Sequence, residues 1–220
     1  MIQFECYNME PDRQNTKEMK NQHTTSSTRA KKRAANALRI CVGLFVTDKN
    51  MSVARRVWQL FSRFTWELPQ TLIGWIYAEL RNMAGAVDKV DFIGGATYVI
   101  NEHWKRGGSQ GVSLGNFINI DRHGMILHEG ENGTFKDFVT SNHLFMHEYG
   151  HYMQSQRWGI LYLFSMGIPS LTNCIYDRIH RTDTHDTYYT ETSANRNAKR
   201  YFCKNYGTEW NETLFPLNKV

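Results

Sequence analysis

"MHEYGHYMQS", residues 146–155, sets His147 and His151 four positions apart with Glu148 directly behind the first. On an α-helix four residues turn through about 400°, so both imidazoles stand on one face, one turn apart. Two imidazole nitrogens can then meet a single Zn²⁺, for which they are common ligands. Glu148 points about 100° round from His147, too far to chelate with the pair but within reach of a water on the ion. That division of labour is the logic of HExxH. The ion acidifies water and polarises a carbonyl, and the glutamate takes the water's proton and later passes it to the leaving amine. Gly150, lying between the histidines, lets a neighbouring backbone come close to this helix.

Zinc that does chemistry needs a third protein donor and one open position. Downstream candidates are His180, Asp183, His185, Asp186 and Glu191. Glu191 is favoured because it opens a second amphipathic helix, in "ETSANRNAKRYF" (191–202), expected to start at Thr190. It shares a face with Ala194, Asn195 and Ala198, residues small enough for that helix to pack closely on the first. Asn195, one turn further on, can accept the spare N–H of a metal-bound histidine and so fix its tautomer. A tetrahedral intermediate also needs an oxyanion stabiliser, for which His185, Tyr188 and Tyr189 are candidates. His123, His128, His143 and His180 read as structural or solvated rather than as ligands.

"HEYGH" (147–151), followed 40 residues later by "ETSAN" (191–195), resembles the zincin metallopeptidases, in particular the gluzincin branch. There the HExxH helix is joined by a glutamate on a later helix, with an aspartate four residues beyond. The resemblance implies a catalytic zinc on His147, His151 and Glu191, with Glu148 as general base. Asn195 stands where that pattern has aspartate, which keeps the acceptor and loses the charge. A strand that binds substrate antiparallel should also precede the metal helix. "GVSLGNFINI" (111–120) is the best candidate, taking up peptide as an added strand. More loosely, "RFTWELPQT" (63–71), "SLGNFINID" (113–121), "HEYGHYMQSQ" (147–156) and "GIPSL" (167–171) resemble HExxH domains at the C-terminal ends of Rhs-repeat proteins of Bacteroidetes. That likeness runs from residue 51 to about 205 and implies a toxin or effector role.

A chain of 220 residues suits one domain, and 41% hydrophobic with 21% charged residues is the composition of a folded protein. The net charge of +5 is concentrated at the start: residues 1–50 carry nine Lys/Arg against five Asp/Glu, and residues 51–220 carry seventeen against sixteen. The folded part shows no basic stripe with interleaved aromatics, so a nucleic-acid partner is not expected; a protein or peptide substrate is what the zincin resemblance implies. Cys6, Cys41, Cys174 and Cys203 form no CxxC pair and read as free, buried thiols, with two disulfides the alternative in an oxidising compartment. Polar and acidic residues in "MIQFECYNMEPDRQNTKEMK" (1–20) argue against a signal peptide. A cytoplasmic protein, or one exported by a non-classical route, is expected.

The organisation expected is a basic, partly flexible extension over residues 1–50 and one zincin-like domain over 51–220. Residues 1–28 read as a tail, and 29–46 as a strand or short helix. Val53, Val57, Leu60, Phe61 and Phe64 recur at helical spacing, and Pro69 separates this helix from a second. The aromatic stripe Trp58, Phe61, Phe64 and Trp66 reads as core or a packing face. Residues 90–100 and 111–127 alternate and are punctuated by glycine, the pattern of strands and hairpins. The metal helix should begin after Thr140 or Ser141 and end at Gly159. Residues 158–176 contain no charge, but Gly159, Gly167 and Pro169 interrupt them, so a buried helix-and-loop segment is expected in preference to a membrane-facing patch.

These elements amount to an α+β fold of zincin type, its metal helix and second ligand helix packed beside a small mixed sheet, hydrolysing peptide bonds with zinc. Two other readings remain open. One is a zinc hydrolase acting on a non-peptide amide. The other is a membrane- or partner-binding module whose zinc is structural, with His180 or His185 closing a four-ligand shell.

Overall fold

The computed structural model describes residues 13–103, 109–122, 133–182 and 184–218. Its sheet is built from two hairpins turned on glycine. Strands β1 (Lys89–Ile93) and β2 (Ala96–Asn101) pair antiparallel through Gly94 and Gly95, at φ 58° and 83°. A two-residue turn of this hand requires that left-handed pair. Strands β3 (Ser109–Leu114) and β4 (Phe117–Arg122) pair antiparallel through Gly115 and Asn116. β2 and β4 run parallel in the middle, giving the order β1-β2-β4-β3 and leaving β3 at an edge. Both expected strand segments are thus hairpins, and residues 123–127 of the second lie outside the described residues.

Alternation along the central strands feeds two cores. Ala96, Tyr98, Ile100, Ile118 and Ile120 face helices α4 (Phe135–Ser141), α5 (His143–Trp158) and α7 (Tyr189–Tyr206). Val99 and Phe117 face the opposite way, onto Ile40 of α1 (Arg13–Gly43) and Ala78 of α3 (Leu68–Met83). The result is an α+β protein with a mixed sheet between two helical layers.

Helix α5 carries HExxH and stops at Gly159, whose φ of 54° closes it as the sequence predicts. Its N-cap is Asn142 rather than Thr140 or Ser141, because a short α4, opened by a Thr134–Asp137 capping box, occupies those residues. α7 begins at Tyr189, with Tyr188 rather than Thr190 as its N-cap. It lies so close to α5 that a Cβ on Gly150 would collide with the Ala194 carbonyl oxygen. The close approach expected of Gly150 is therefore present.

Three expectations need correction. First, residues 13–43 form one helix, so much of the stretch expected as a flexible tail is helical and its end is part of the core. Ile40 is fully buried, Asn36 donates to the Val87 carbonyl, and Asp48 accepts from the Tyr201 hydroxyl at 2.8 Å. The packed body thus reaches back across the boundary drawn at residue 50.

Second, helix α2 (Val53–Arg63) turns the wrong way for its hydrophobic pattern. Trp58, Phe61, Phe64 and Trp66 are exposed, Phe61 to 57%, while Gln59, Ser62 and Arg63 are buried. Arg63 explains the inversion. Its terminal nitrogens donate to the carbonyls of Leu44, Val46 and Gly95 and to the Tyr152 hydroxyl, satisfying acceptors that would otherwise be orphaned. Gln59 accepts from the Asp48 amide, and Glu67 accepts from the hydroxyls of Ser62 and Ser155 at 2.6 and 3.0 Å. Burial pushes the Glu67 carboxyl up against those two donors.

Third, the charge-free stretch is largely exposed, with Gly159, Tyr162 and Met166 its buried members. A 3-10 turn (Gly159–Leu161) and a π turn (Leu163–Gly167) lead into α6 (Ile168–His180), and Phe164 is 69% exposed. Among the described residues no single helix is long and apolar enough to cross a membrane.

Candidate metal centre

Helices α5 and α7 bring together the three side chains singled out in the sequence. Nε2 of His147 and Nε2 of His151 stand 3.2 Å apart, and Oε2 of Glu191 lies 3.2 Å from the first and 3.0 Å from the second. All three residues are nearly closed off from solvent. A tetrahedral ion with bonds of about 2.0–2.1 Å needs donors about 3.3 Å apart. The donor set and its spacing fit a metal ion held by these three residues.

The surrounding hydrogen bonds decide which ring nitrogen is free. Asn195 Nδ2 donates to the Pro216 carbonyl at 2.8 Å, which turns Oδ1 toward His147 Nδ1 at 2.6 Å. His151 has the same device. Gln154 Nε2 donates to the Thr190 carbonyl at 2.7 Å, and its Oε1 meets His151 Nδ1 at 2.9 Å. Both amide oxygens can only accept, so both imidazoles carry their proton on Nδ1 and present a lone pair at Nε2. Glu191 is oriented as firmly. Its Oε1 accepts from the hydroxyls of Ser170 at 2.6 Å and Thr190 at 2.9 Å, leaving Oε2 for the imidazoles.

Three acceptor atoms therefore converge with no donor among them, an arrangement that repels unless a cation sits between. A proton is the least cation that serves. Burial disfavours the His151 cation, yet Glu191, helped by Glu148, outweighs burial and pushes the ring up to about 9. Burial likewise favours neutral Glu191, but His151 and then His147 hold its carboxyl well below the usual carboxylate range.

Glu148 is buried beside this group without joining it. The Ser113 hydroxyl on edge strand β3 donates to Glu148 Oε2 at 2.7 Å. The next-but-one residue back, Gly111, makes room, since a Cβ there would collide with Glu148 Oε1. A C-terminal segment lies against the other side: the Phe215 ring packs 5.3 Å from His147 and 5.8 Å from His143, whose Nε2 accepts from the Asn211 amide.

His185, Tyr188 and Tyr189 are held elsewhere. His185 Nδ1 meets Asn173 and its amide donates to Asp177, the Tyr188 ring packs on Tyr189, and the Tyr189 hydroxyl donates to the Ser165 carbonyl. His180 stacks on Tyr176, and Asp183 lies outside the described residues, as do His123 and His128. No fourth His, Cys, Asp or Glu joins the cluster among the described residues. Cys41, Cys174 and Cys203 are free, and Cys41 is exposed rather than buried.

No family model, curated protein or solved structure matches this chain.

Gln154, which orients His151, and Tyr162, which rests on the carbonyl of the residue that anchors Glu148, were not read from the sequence. Gln154 had a signal, three residues past His151 on the same helix face. Tyr162 had none. It is buried, and its hydroxyl donates weakly to the Ser113 carbonyl at 3.3 Å. Burial first, then the charges of Glu148 and Glu191, keep that hydroxyl protonated.

Proposed function

We propose that this protein is a zinc-dependent metallopeptidase of zincin type. One observation carries the reading: both imidazole tautomers are fixed by amide oxygens, so that two Nε2 lone pairs and a carboxylate oxygen converge at 3.0–3.2 Å. A three-donor set, with no fourth such ligand among the described residues, suits a catalytic ion better than a structural one.

When bound, zinc contributes Lewis acidity, acidifying water and polarising a carbonyl. Glu148 moves the proton. Its carboxylate accepts one from the attacking water as the new C–O bond forms, then delivers it to the amine nitrogen as the C–N bond breaks. Ser113 steadies Oε2 for that transfer and ties the general base to strand β3. β3 pairs only with β4 among the described residues, so its other edge is where an extended peptide would add as a strand. Tyr162, whose buried hydroxyl rests on the carbonyl of Ser113, the residue that anchors Glu148, is the oxyanion donor proposed in place of His185, Tyr188 and Tyr189, and it would have to release that carbonyl to serve.

The test pairs metal content with turnover. Purified protein should hold about one zinc per chain, lost in Glu191→Ala. It should cleave casein or a quenched peptide library, and Glu148→Gln should retain zinc while losing about 10²–10⁴-fold in turnover. Zinc without peptide cleavage, but with hydrolysis of a non-peptide amide, would replace the substrate class. An effector role, suggested by the looser likeness, is checked by growth arrest on expression that Glu148→Gln abolishes.

A further inference from the structure

Of the 27 large apolar side chains exposed among the described residues, fifteen lie in residues 38–83 and nine in residues 158–179. Scattered exposed hydrophobics are ordinary, but two dense runs are not. They are also continuous. The Phe45 and Phe64 rings stand 5.7 Å apart, Trp66 covers Gly159, and Gln70 donates to the Gly159 carbonyl at 2.7 Å. One apolar surface thus runs from the end of α1 across α2 and the α2–α3 turn, then along the turns into α6.

This surface is not the residue of poor folding. α2 and α3 bury Gln59, Arg63, Gln70 and Arg81 while turning Phe61 and Ile76 outward. Helices that face water do the reverse. Inward polar and outward apolar residues are what a non-aqueous neighbour selects.

Charge identifies that neighbour. Residues 29–63, on the chain leading into the surface, carry nine Lys/Arg and a single acid, Asp48, which is buried. Arg63 is buried, and Lys32 and Arg39 pair with Asp88 and Asp91, but Arg29, Lys31, Arg33, Lys49 and Arg55 are exposed, and residues 158–176 carry no charge at all. A second copy of the chain would set this positive flank against itself. A bilayer with anionic headgroups meets both the apolar surface and the cations. Trp58, Trp66, Trp158 and Tyr176 add the amphipathic rings favoured at a lipid–water boundary. One bent helix pair, His143–Leu161 with Leu163–His180, has the length and composition to span a bilayer, but it bends by 120° and its first half is the buried HExxH helix.

We propose that the apolar surface formed by α2, α3 and α6, with the cations at residues 29–33 midway along α1, seats the protein on the face of an anionic lipid bilayer. The seat is independent of the metal, so its success or failure leaves the peptidase reading untouched.

Co-sedimentation of the full chain with vesicles, with a chelator present throughout, tests it. The protein should bind phosphatidylcholine vesicles containing phosphatidylglycerol, weaken as salt rises, and bind phosphatidylcholine alone at least about tenfold less well. Reversing two exposed cations, Arg29→Glu with Lys31→Glu, should cost about tenfold or more on the anionic vesicles. Phe61→Ser with Phe164→Ser should cost at least as much while the melting temperature holds. Absence of binding to either vesicle overturns the proposal. So does a salt-insensitive dimer in vesicle-free solution that Phe61→Ser with Phe164→Ser dissociates, since a second copy would then be the occupant.

Discussion

Helices α5 and α2 both turn polar side chains inward, and the two interiors differ in one respect. Around α2, the terminal nitrogens of Arg63 find four acceptors, and Gln59 and Glu67 find donors. Around α5, Asn195, Gln154, Ser170 and Thr190 satisfy the outer atoms of His147, His151 and Glu191 and leave the three inner atoms as unmatched acceptors. A network in which donors meet acceptors holds a helix in place, even with Arg63 Nε left over; one whose converging atoms all accept marks where a cation belongs. Buried polarity alone does not distinguish scaffold from site, but the direction of its deficit does.

The largest expected effect lies in the scaffold. Arg63→Met removes four donations and strands buried carbonyls, at a cost of about 3–5 kcal/mol, read by chemical or thermal denaturation. A cost under about 1 kcal/mol would show that water completes that network and would remove the contrast.

pH dependence comes next. Metal must displace the proton that His151 holds up to about pH 9, so apparent zinc affinity should rise about tenfold per pH unit on approach to 9 and level off above it. In the metal-free protein the same raised value works the other way. Its stabilising contribution is complete below the ring's ordinary value of 6.5 and is lost as pH rises through about 9. Calorimetric titration and melting curves across that window check both signs, and a flat affinity profile would mean that no proton substitutes for the metal.

Gln154→Ala should weaken metal binding by about 10–100-fold, because His151 loses the acceptor that fixes its tautomer. Turnover at saturating metal should change far less. Equal losses in Gln154→Ala and Asn195→Ala would support two equivalent orienting amides.

The smallest effect belongs to the residues that look most like core. Phe61→Ser should shift stability by no more than about 0.5 kcal/mol, since the ring is mostly exposed. A loss of several kcal/mol would mean that the ring is covered in solution.

The candidate site was largely legible because a chelating arrangement would impose local rules. His147 and His151 must share a helix face, and Glu191 needed a helix whose small residues, Ala194 and Ala198, permit close approach. Those constraints act over a few residues and leave a spacing that can be read. Tyr162 was not legible, because it reaches Ser113 across 49 residues from an irregular turn, and no local rule governs such an encounter. Gln154 fell between the two, its spacing visible and its role dependent on where Thr190 would lie.

The chain itself determined that residues 53–63 and 68–83 form helices, that glycines turn two hairpins, and that Gly159 ends the HExxH helix. Periodicity and backbone freedom are properties of neighbours in sequence. Tertiary structure alone decided that β2 and β4 run parallel and that α2 shows its aromatic face outward. Which side of a helix is buried depends on the partners offered to its polar side, here the carbonyls of Leu44, Val46 and Gly95, and those partners exist only once the fold has assembled them.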